Sequence, residues 1–227
     1  MVKINHNKFN YYSPVDLEDH LWESMLDIGY TKNFGPSETL ISQGQQLTGL
    51  LCVTQGRLKT FYIFNNGNEK ILGLFNTQYS KVVLGEEAIF DSRTSFYNAM
   101  ALTPLSMVYI PFEKVRTLIA ECPEIAVCLL KCLSNKLSSL GIQVGDLLSR
   151  DIMQRAARVL TDFTKCTSKN KEGYMPFTHD ELAKFLGITR PNMTTCLNYF
   201  ARENLIDMRW GKIRVTDYTT LKNLSDS

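Results

Sequence analysis

The sequence predicts an α+β chain in three parts: an N-terminal β-sandwich or jelly roll, one long helix, and a C-terminal winged helix-turn-helix. Three observations predict it. Between Thr39 and Ile110 the chain falls into short β-branched and aromatic runs, punctuated by Gly44, Gly49, Gly56, Gly67 and Gly73. That is the pattern of a sheet domain with frequent turns. From Pro123 to about Arg150 an unbroken stretch carries Leu130, Leu133, Leu137, Leu140, Val144 and Leu147 at alternating spacings of three and four. From Thr178 to Leu197 two short amphipathic segments meet at Gly187, each starting on a threonine.

In chain order, Asp16 to Tyr30 reads as a helix. Strands follow at Thr39–Ile41, Leu50–Val53, Arg57–Phe64, Lys70–Phe75 and Ser106–Ile110. Phe64-Asn-Asn-Gly-Asn-Glu69 is a hairpin tip, because Asn and Gly tolerate positive φ. Pro111 to Ala120 reads as a second helix. In the long helix that follows, the apolar spacing forms an a/d seam over almost three heptads, and it favours pairing with a second copy of the chain.

In the last part, Thr178 and Glu181 form a capping box. Leu182, Ala183, Phe185 and Leu186 share an apolar face, and Gly187 permits the turn. Thr189 caps the second helix, whose first turn accommodates Pro191. Met193, Leu197, Phe200 and Ala201 form its inner side. Arg190, Asn192, Thr194, Thr195 and Asn198 are left for other faces. Ile206–Met208 and Ile213–Val215 then read as a hairpin around Arg209-Trp-Gly-Lys212. A helix pair with polar groups on its second helix and a basic wing behind it points to double-stranded DNA as partner. The wing amides and Lys212 would lie beside phosphates.

Composition agrees with this reading. The 227 residues allow one large or two ordinary domains, and the formal charge is only +2. From Lys165 to Lys222, however, ten Lys and Arg stand against six Asp and Glu. This basic surplus suits a DNA-binding module of modest affinity. The first residues lack a signal-peptide core, and no apolar run approaches the eighteen or so residues of a membrane span, so a cytoplasmic protein without membrane contact is expected. Cys52, Cys122, Cys128, Cys132, Cys166 and Cys196 show no metal-ligand spacing and are expected to be reduced, packed thiols. A jelly-roll enzyme with a His/Glu metal cluster is argued against, since no histidine lies between Thr39 and Ile110.

Three motif groups, spread over nearly the whole chain, carry a resemblance to a known family. They are Leu84-Gly-Glu86, Ile110-Pro-Phe-Glu-Lys-Val-Arg-Thr-Leu-Ile119, and Leu182-Ala-Lys-Phe-Leu-Gly-Ile-Thr-Arg190 continued by Asn204-Leu-Ile206. In this order the sequence resembles the Crp–Fnr family of bacterial transcription regulators. The resemblance implies a double-stranded β-helix of the cyclic-nucleotide-binding kind over residues 1–121, a dimerisation helix over 122–150, and a winged DNA-binding domain over 151–227. It also implies a homodimer, an effector bound by the roll, and RNA polymerase as a further partner. The chain is expected to be a regulator and not an enzyme.

By the same resemblance, Arg190 is the arginine that starts the recognition helix, placed for a bidentate contact to guanine. Thr178, Thr189, Asn192, Gly211 and Lys212 fall at phosphate-contacting positions, with Thr195 and Asn198 placed beside neighbouring bases. Pro191 stands where the cyclic AMP receptor pattern has an acidic base-reader, and Thr195 where it has a second arginine, so a different operator is expected.

The effector side departs further from that pattern. Gly85 and Glu86 remain from the phosphate and ribose cassette, but the Arg–Thr pair appears only as Arg93-Thr94, out of register. On the long helix Leu140-Gly141 replaces the adenine-contacting hydroxyls. These losses argue against cyclic AMP. Scattered histidines (His6, His20 and His179) and the lack of an N-terminal cysteine run argue against haem and an iron–sulfur cluster. An unknown small-molecule effector is expected, with Tyr79, Lys81, Tyr97, Leu133 and Lys136 joining Gly85 and Glu86 around it. An aromatic acid, as in the halorespiration-regulator branch, is one candidate. The rival reading is a nucleotide- or ligand-regulated scaffold without DNA binding.

Overall fold

A computed structural model describes residue 11 and residues 17–89, 94–166 and 173–226 of the chain. These fall into two compact units. One spans residues 14–136; the other combines residues 137–227 with the N-terminal segment up to residue 13.

The first unit is a roll of two four-stranded sheets. One has the order β1 (Tyr30–Phe34), β8 (Leu105–Pro111), β3 (Gly49–Gln55), β6 (Val82–Leu84). The other has β2 (Thr39–Ile41), β7 (Asn98–Ala101), β4 (Arg57–Ile63), β5 (Glu69–Asn76). Every pairing is antiparallel. β4 and β5 form the expected hairpin, closed by Phe64 N–H on the Asn68 carbonyl at 2.9 Å, with Gly67 at φ 79°. Leu50, Cys52, Leu58, Ile71, Ala99 and Ile110 are fully buried in or beneath the sheets. Helix α1 (Asp19–Asp27) buries Leu21 and Met25 against this core. It is shorter than expected, because residues from Tyr30 pair with β8. Helix α2 (Phe112–Glu121) adds Phe112 and Val115.

Helix α3 (Glu124–Ser149) contributes to both units. Its first turns bury Ile125, Cys128, Leu129 and Cys132 in the roll core. Its remaining apolar residues form the anticipated stripe: Leu130, Leu137, Val144 and Leu147 are exposed, and Val127 and Leu148 join them. Leu133 and Leu140 are half-buried. One expectation is corrected here. By length and composition α3 does pass as a membrane span, with a mean hydropathy of 1.4 over an eighteen-residue window. The seam contributes to this value, since six exposed aliphatic side chains add to the two aliphatic residues and two cysteines that the roll covers.

The second unit is built on α4 (Ile152–Cys166), whose Ala156, Ala157, Val159, Leu160 and Phe163 are buried. Around it lie α5 (His179–Leu186), α6 (Arg190–Arg202), the hairpin β9 (Ile206–Arg209) and β10 (Lys212–Val215), and α7 (Tyr218–Asp226). Leu182, Ala183, Phe185 and Leu186 face inward as expected, as do Met193, Leu197 and Phe200, joined by Cys196.

A chain-distant residue completes this unit. Tyr11 is buried, and its hydroxyl donates to Asp146 Oδ2 at 2.5 Å. Its amide donates to Asp162 Oδ2 at 3.1 Å, and Ser139 Oγ donates to its carbonyl at 2.6 Å. Arg158 lies over the ring, with its guanidinium carbon 5.5 Å from the centroid, and donates to Asp146 Oδ1 at 2.6 Å. One aromatic side chain therefore joins α3, α4 and, through an edge contact with Phe185, α5. Two buried aspartates beside one buried arginine would be costly if any of them were left unpaired. Tyr11 supplies two of the donors that they need.

Candidate DNA-reading surface and effector cluster

The helix-turn-helix is set by its caps. Thr178 Oγ1 accepts from Glu181 N–H at 3.1 Å, and Glu181 Oε2 accepts from Thr178 N–H at 2.7 Å, completing the capping box. Gly187 ends α5 at φ 67° and ψ 39°, the left-handed region where a β-carbon is unfavourable. Thr189 caps α6, its hydroxyl accepting from Asn192 N–H at 3.4 Å, and Pro191 sits in the first turn, where its missing N–H costs little. Both threonine side chains are thus engaged in capping.

Arg190, Asn192, Thr195 and Asn198 are all exposed on α6. Thr195 Oγ1 donates back to the Pro191 carbonyl at 3.1 Å, leaving its lone pairs and methyl group outward. Thr194, by contrast, is half-buried and bonded to His179 Nδ1 at 3.0 Å. Burial, and then the nearby Arg190 charge, hold His179 below the ordinary histidine range. The imidazole thus sits where both burial and the Arg190 charge disfavour its protonated form.

The wing follows the expected register. Arg209 faces Lys212 across a two-residue tip, with Gly211 at φ 67°. Sequence reasoning overlooked what braces it. Tyr174 donates to Asp207, and Arg214 donates to the same carboxylate oxygen at 3.1 Å. The Arg209 and Arg214 guanidinium carbons lie 4.6 and 4.8 Å from the Tyr174 ring centroid. Together these groups hold Asp207 below the usual carboxylate range, the Tyr174 hydrogen bond contributing most. Tyr174 lies 33 residues before Asp207, so no local pattern marks the pair.

The roll holds a different kind of cluster. Gly85 adopts φ 91°, and a β-carbon there would lie 2.9 Å from the Gly49 carbonyl oxygen, so the turn excludes other residues. It leads into a 3₁₀ turn, Glu86–Ala88. The Glu86 side chain is fully buried and receives the Lys136 ammonium on Oε1 at 2.5 Å. Lys136 also donates to the Val83 carbonyl at 2.8 Å. Burial raises the Glu86 carboxyl above its usual range, with Lys136 opposing the rise. Buried Tyr97 is pushed up in turn, by burial and then by the charges of Glu87 and Glu86. Glu86 Oε2, Glu87 Oε1 and the Tyr97 hydroxyl are buried without a hydrogen-bond partner among the described residues. Tyr79 is also buried, and Leu133 is half-buried.

One expected member is corrected. Lys81 does not line the cluster with an open ammonium: it donates to the Leu17 carbonyl at 2.5 Å and to Asp19 Oδ1 at 2.6 Å, anchoring the start of α1. The Asp19 carboxylate, at the first residue of α1, satisfies that charge first. Arg93 lies outside the described residues, as does His6. Thr94 forms an isolated bridge with Gln46. The thiols are quiet: burial pushes Cys132 up to about 12 and raises Cys52, Cys128 and Cys196. The Cys166 side chain is outside the described set. Among the described residues, no three His, Cys, Asp or Glu side chains converge to hold a metal ion.

Comparison with known proteins resolves what the two surfaces belong to. Residues 154–224 match the family described as the Crp-like helix-turn-helix domain, and residues 31–122 match the cyclic nucleotide-binding domain. The CRP-like cAMP-activated global transcriptional regulator of Mycobacterium tuberculosis is 24% identical over 189 residues, covering 82% of this chain and 83% of its own. Among solved structures, FixK2 from Bradyrhizobium japonicum superposes with a TM-score of 0.75 at 15% identity, covering 88% of this chain and 98% of its own. CprK in complex with OCPA gives 0.69 at 20%, covering 89% and 92%. These structural likenesses are of fold. The two matched domains and the similar regulator place the chain in the Crp/Fnr family of DNA-binding transcription regulators, a family of regulators and not of enzymes.

Proposed function

We propose that the protein is an effector-responsive homodimer that reads a two-fold operator. Residues 1–121 would form its sensor, 122–150 its dimerisation helix and 151–227 its reader. The observation that carries this reading is the exposed aliphatic stripe of α3, continuous over Leu130, Leu137, Val144 and Leu147. Each such side chain forgoes roughly 1.5–3 kcal/mol while it faces water. A second copy offers the same stripe, so a two-fold contact satisfies both. Leu133 and Leu140 would complete the seam. Two-fold pairing also suits a reader, since recognition helices about 34 Å apart meet successive major grooves.

In this reading Arg190 contacts a guanine edge, Thr195 and Asn198 lie against neighbouring bases, and Thr178, Thr189, Asn192, Gly211 and Lys212 approach phosphates. The effector is a small molecule other than cyclic AMP, admitted near Gly85, Glu86, Tyr79, Tyr97, Leu133 and Lys136. Neither haem nor an iron–sulfur cluster is proposed. Whether the chain belongs to the halorespiration-regulator branch, and so binds an aromatic acid, is tested by screening such acids against nucleotides for thermal stabilisation. The ligand would act by favouring one of two dimer arrangements. RNA polymerase is the further partner, and the cytoplasm the site of action.

The decisive experiment is duplex binding as a function of salt. A regulator should lose affinity steeply as salt rises and should select a two-fold site from random sequence. A scaffold would show neither.

A further inference from the structure

Trp210, at the wing tip, is fully exposed. Other exposed aromatic side chains keep a ring neighbour: Phe64 packs on Tyr62 at 5.1 Å, Phe96 on Tyr97 at 5.1 Å, and Tyr199 on Phe200 at 6.0 Å, while Tyr218 is far less exposed than Trp210. Trp210 has no ring or cation contact among the described residues. Its support, however, is firm. Below it Arg209 and Arg214 stack on Tyr174, Asp207 is held by Tyr174 and Arg214, and Met175 exchanges backbone hydrogen bonds with Ile213 at 2.7 and 2.9 Å. The braced hairpin holds the backbone of the two-residue tip in place, so little backbone freedom is lost when the ring binds. The charge around it selects the partner. Arg209, Lys212 and Arg214 face one acidic residue, Asp207, on the same hairpin, so the occupant is a polyanion with flat apolar faces.

We propose that Trp210 contacts duplex DNA beyond the bases read by α6, pressing its indole into the flanking minor groove as an apolar wedge, while Arg209 and Lys212 hold the adjoining phosphates. The wing then adds selectivity by shape: flanks that unstack or widen easily accept the ring, and stiff ones resist it. This goes beyond a wing that touches phosphates alone.

The test uses the full chain. The sequence has two tryptophans, so Trp22→Phe leaves Trp210 as the sole reporter. The probes are duplexes recovered by the protein from a random pool at low salt, each prepared with long flanks and again trimmed to the core site. With long flanks, Trp210 emission should shift and its quenching by acrylamide fall several-fold; with trimmed duplex both should stay at the free-protein values. Trp210→Ala removes no contact in the chain, so folding is unaffected. It should bind long-flank duplex about tenfold more weakly, bind trimmed duplex like the parent, and keep the parent salt slope. Lys212→Ala should instead lower that slope by about one. An indole equally open to acrylamide with and without long-flank DNA would overturn the proposal, as would equal affinity of Trp210→Ala for both duplexes. An indole already shielded in the free protein would assign the tip to protein contact and also overturn it. If no duplex is selected at all, the DNA-binding reading fails together with this one.

Discussion

Around Arg190 the polar groups turn toward water, whereas around Glu86 they turn toward one another inside the roll. The helix surface can afford exposed donors because its target brings its own acceptors and displaces solvent on contact. The roll instead encloses two glutamates, a tyrosine and the end of Lys136, and leaves several of their atoms short of partners. A buried polar group without a partner costs about 1–3 kcal/mol. The roll's cluster therefore concentrates unfavourable burial, whereas in the second unit Arg155 Nε alone is so placed among the described residues. Lys136 carries particular weight in this contrast: it is a residue of the long helix bonded to the fully buried Glu86 of the roll.

The contrast can be broken most forcefully at the seam. Replacing Leu137 and Leu140 together by lysine should convert a dimer to a monomer in sedimentation, with near-complete loss of operator affinity. A persistent dimer would show that the stripe serves another purpose.

Next in size is Lys136→Met, which leaves Glu86 buried without its cation. The cost should be about 3 kcal/mol, at the lower end for breaking a buried pair because the lysine is partly exposed. The effect should depend on pH. The folded Glu86 carboxyl is already raised, so it contributes stability below its unfolded value, and this is lost as pH rises through the folded value. Without Lys136 the folded value rises further, so the variant's deficit should be small near pH 5 and full near pH 8. Denaturant midpoints at the two pH values check this, and a deficit that shrinks with pH would contradict it.

A smaller effect is expected at Tyr11→Phe. Loss of one hydrogen bond to a charged group should cost the DNA-binding unit roughly 1.5–3 kcal/mol, seen as a lower unfolding midpoint. Arg190→Ala should leave stability unchanged and weaken operator binding by about 1–3 kcal/mol, relaxing preference at one base pair. If competition among operator variants shows discrimination intact, Arg190 does not read a base.

How much could be read from the chain follows the same division. The helix-turn-helix was legible because its determinants are local: Thr178 and Glu181 are three residues apart, and Gly187 alone marks the turn. The α3 stripe was legible by spacing. β1 was hidden because Tyr30–Phe34 follows a helix directly and is mostly exposed, without alternation. β6 escaped because Val82–Leu84 is short and buried throughout. Helices α4 and α7 were not anticipated. The roll's cluster draws on residues from three separate stretches, so the pairing of Glu86 with Lys136, 50 positions apart, is set by tertiary structure. Lys81 was misassigned for the same reason, since its partner Asp19 lies 62 residues earlier. The brace of Tyr174 under the wing is a further long-range contact that no short motif announces.

Tyr11 carries a consequence for how the molecule is made. Its acceptors Asp146 and Asp162 are synthesised 135 and 151 positions after it. Throughout translation of the roll, Tyr11 has neither of them to dock on. The second unit can therefore close only after α4 has been made. A fragment starting after residue 13 should carry a reader with two under-satisfied aspartates, however complete its helices.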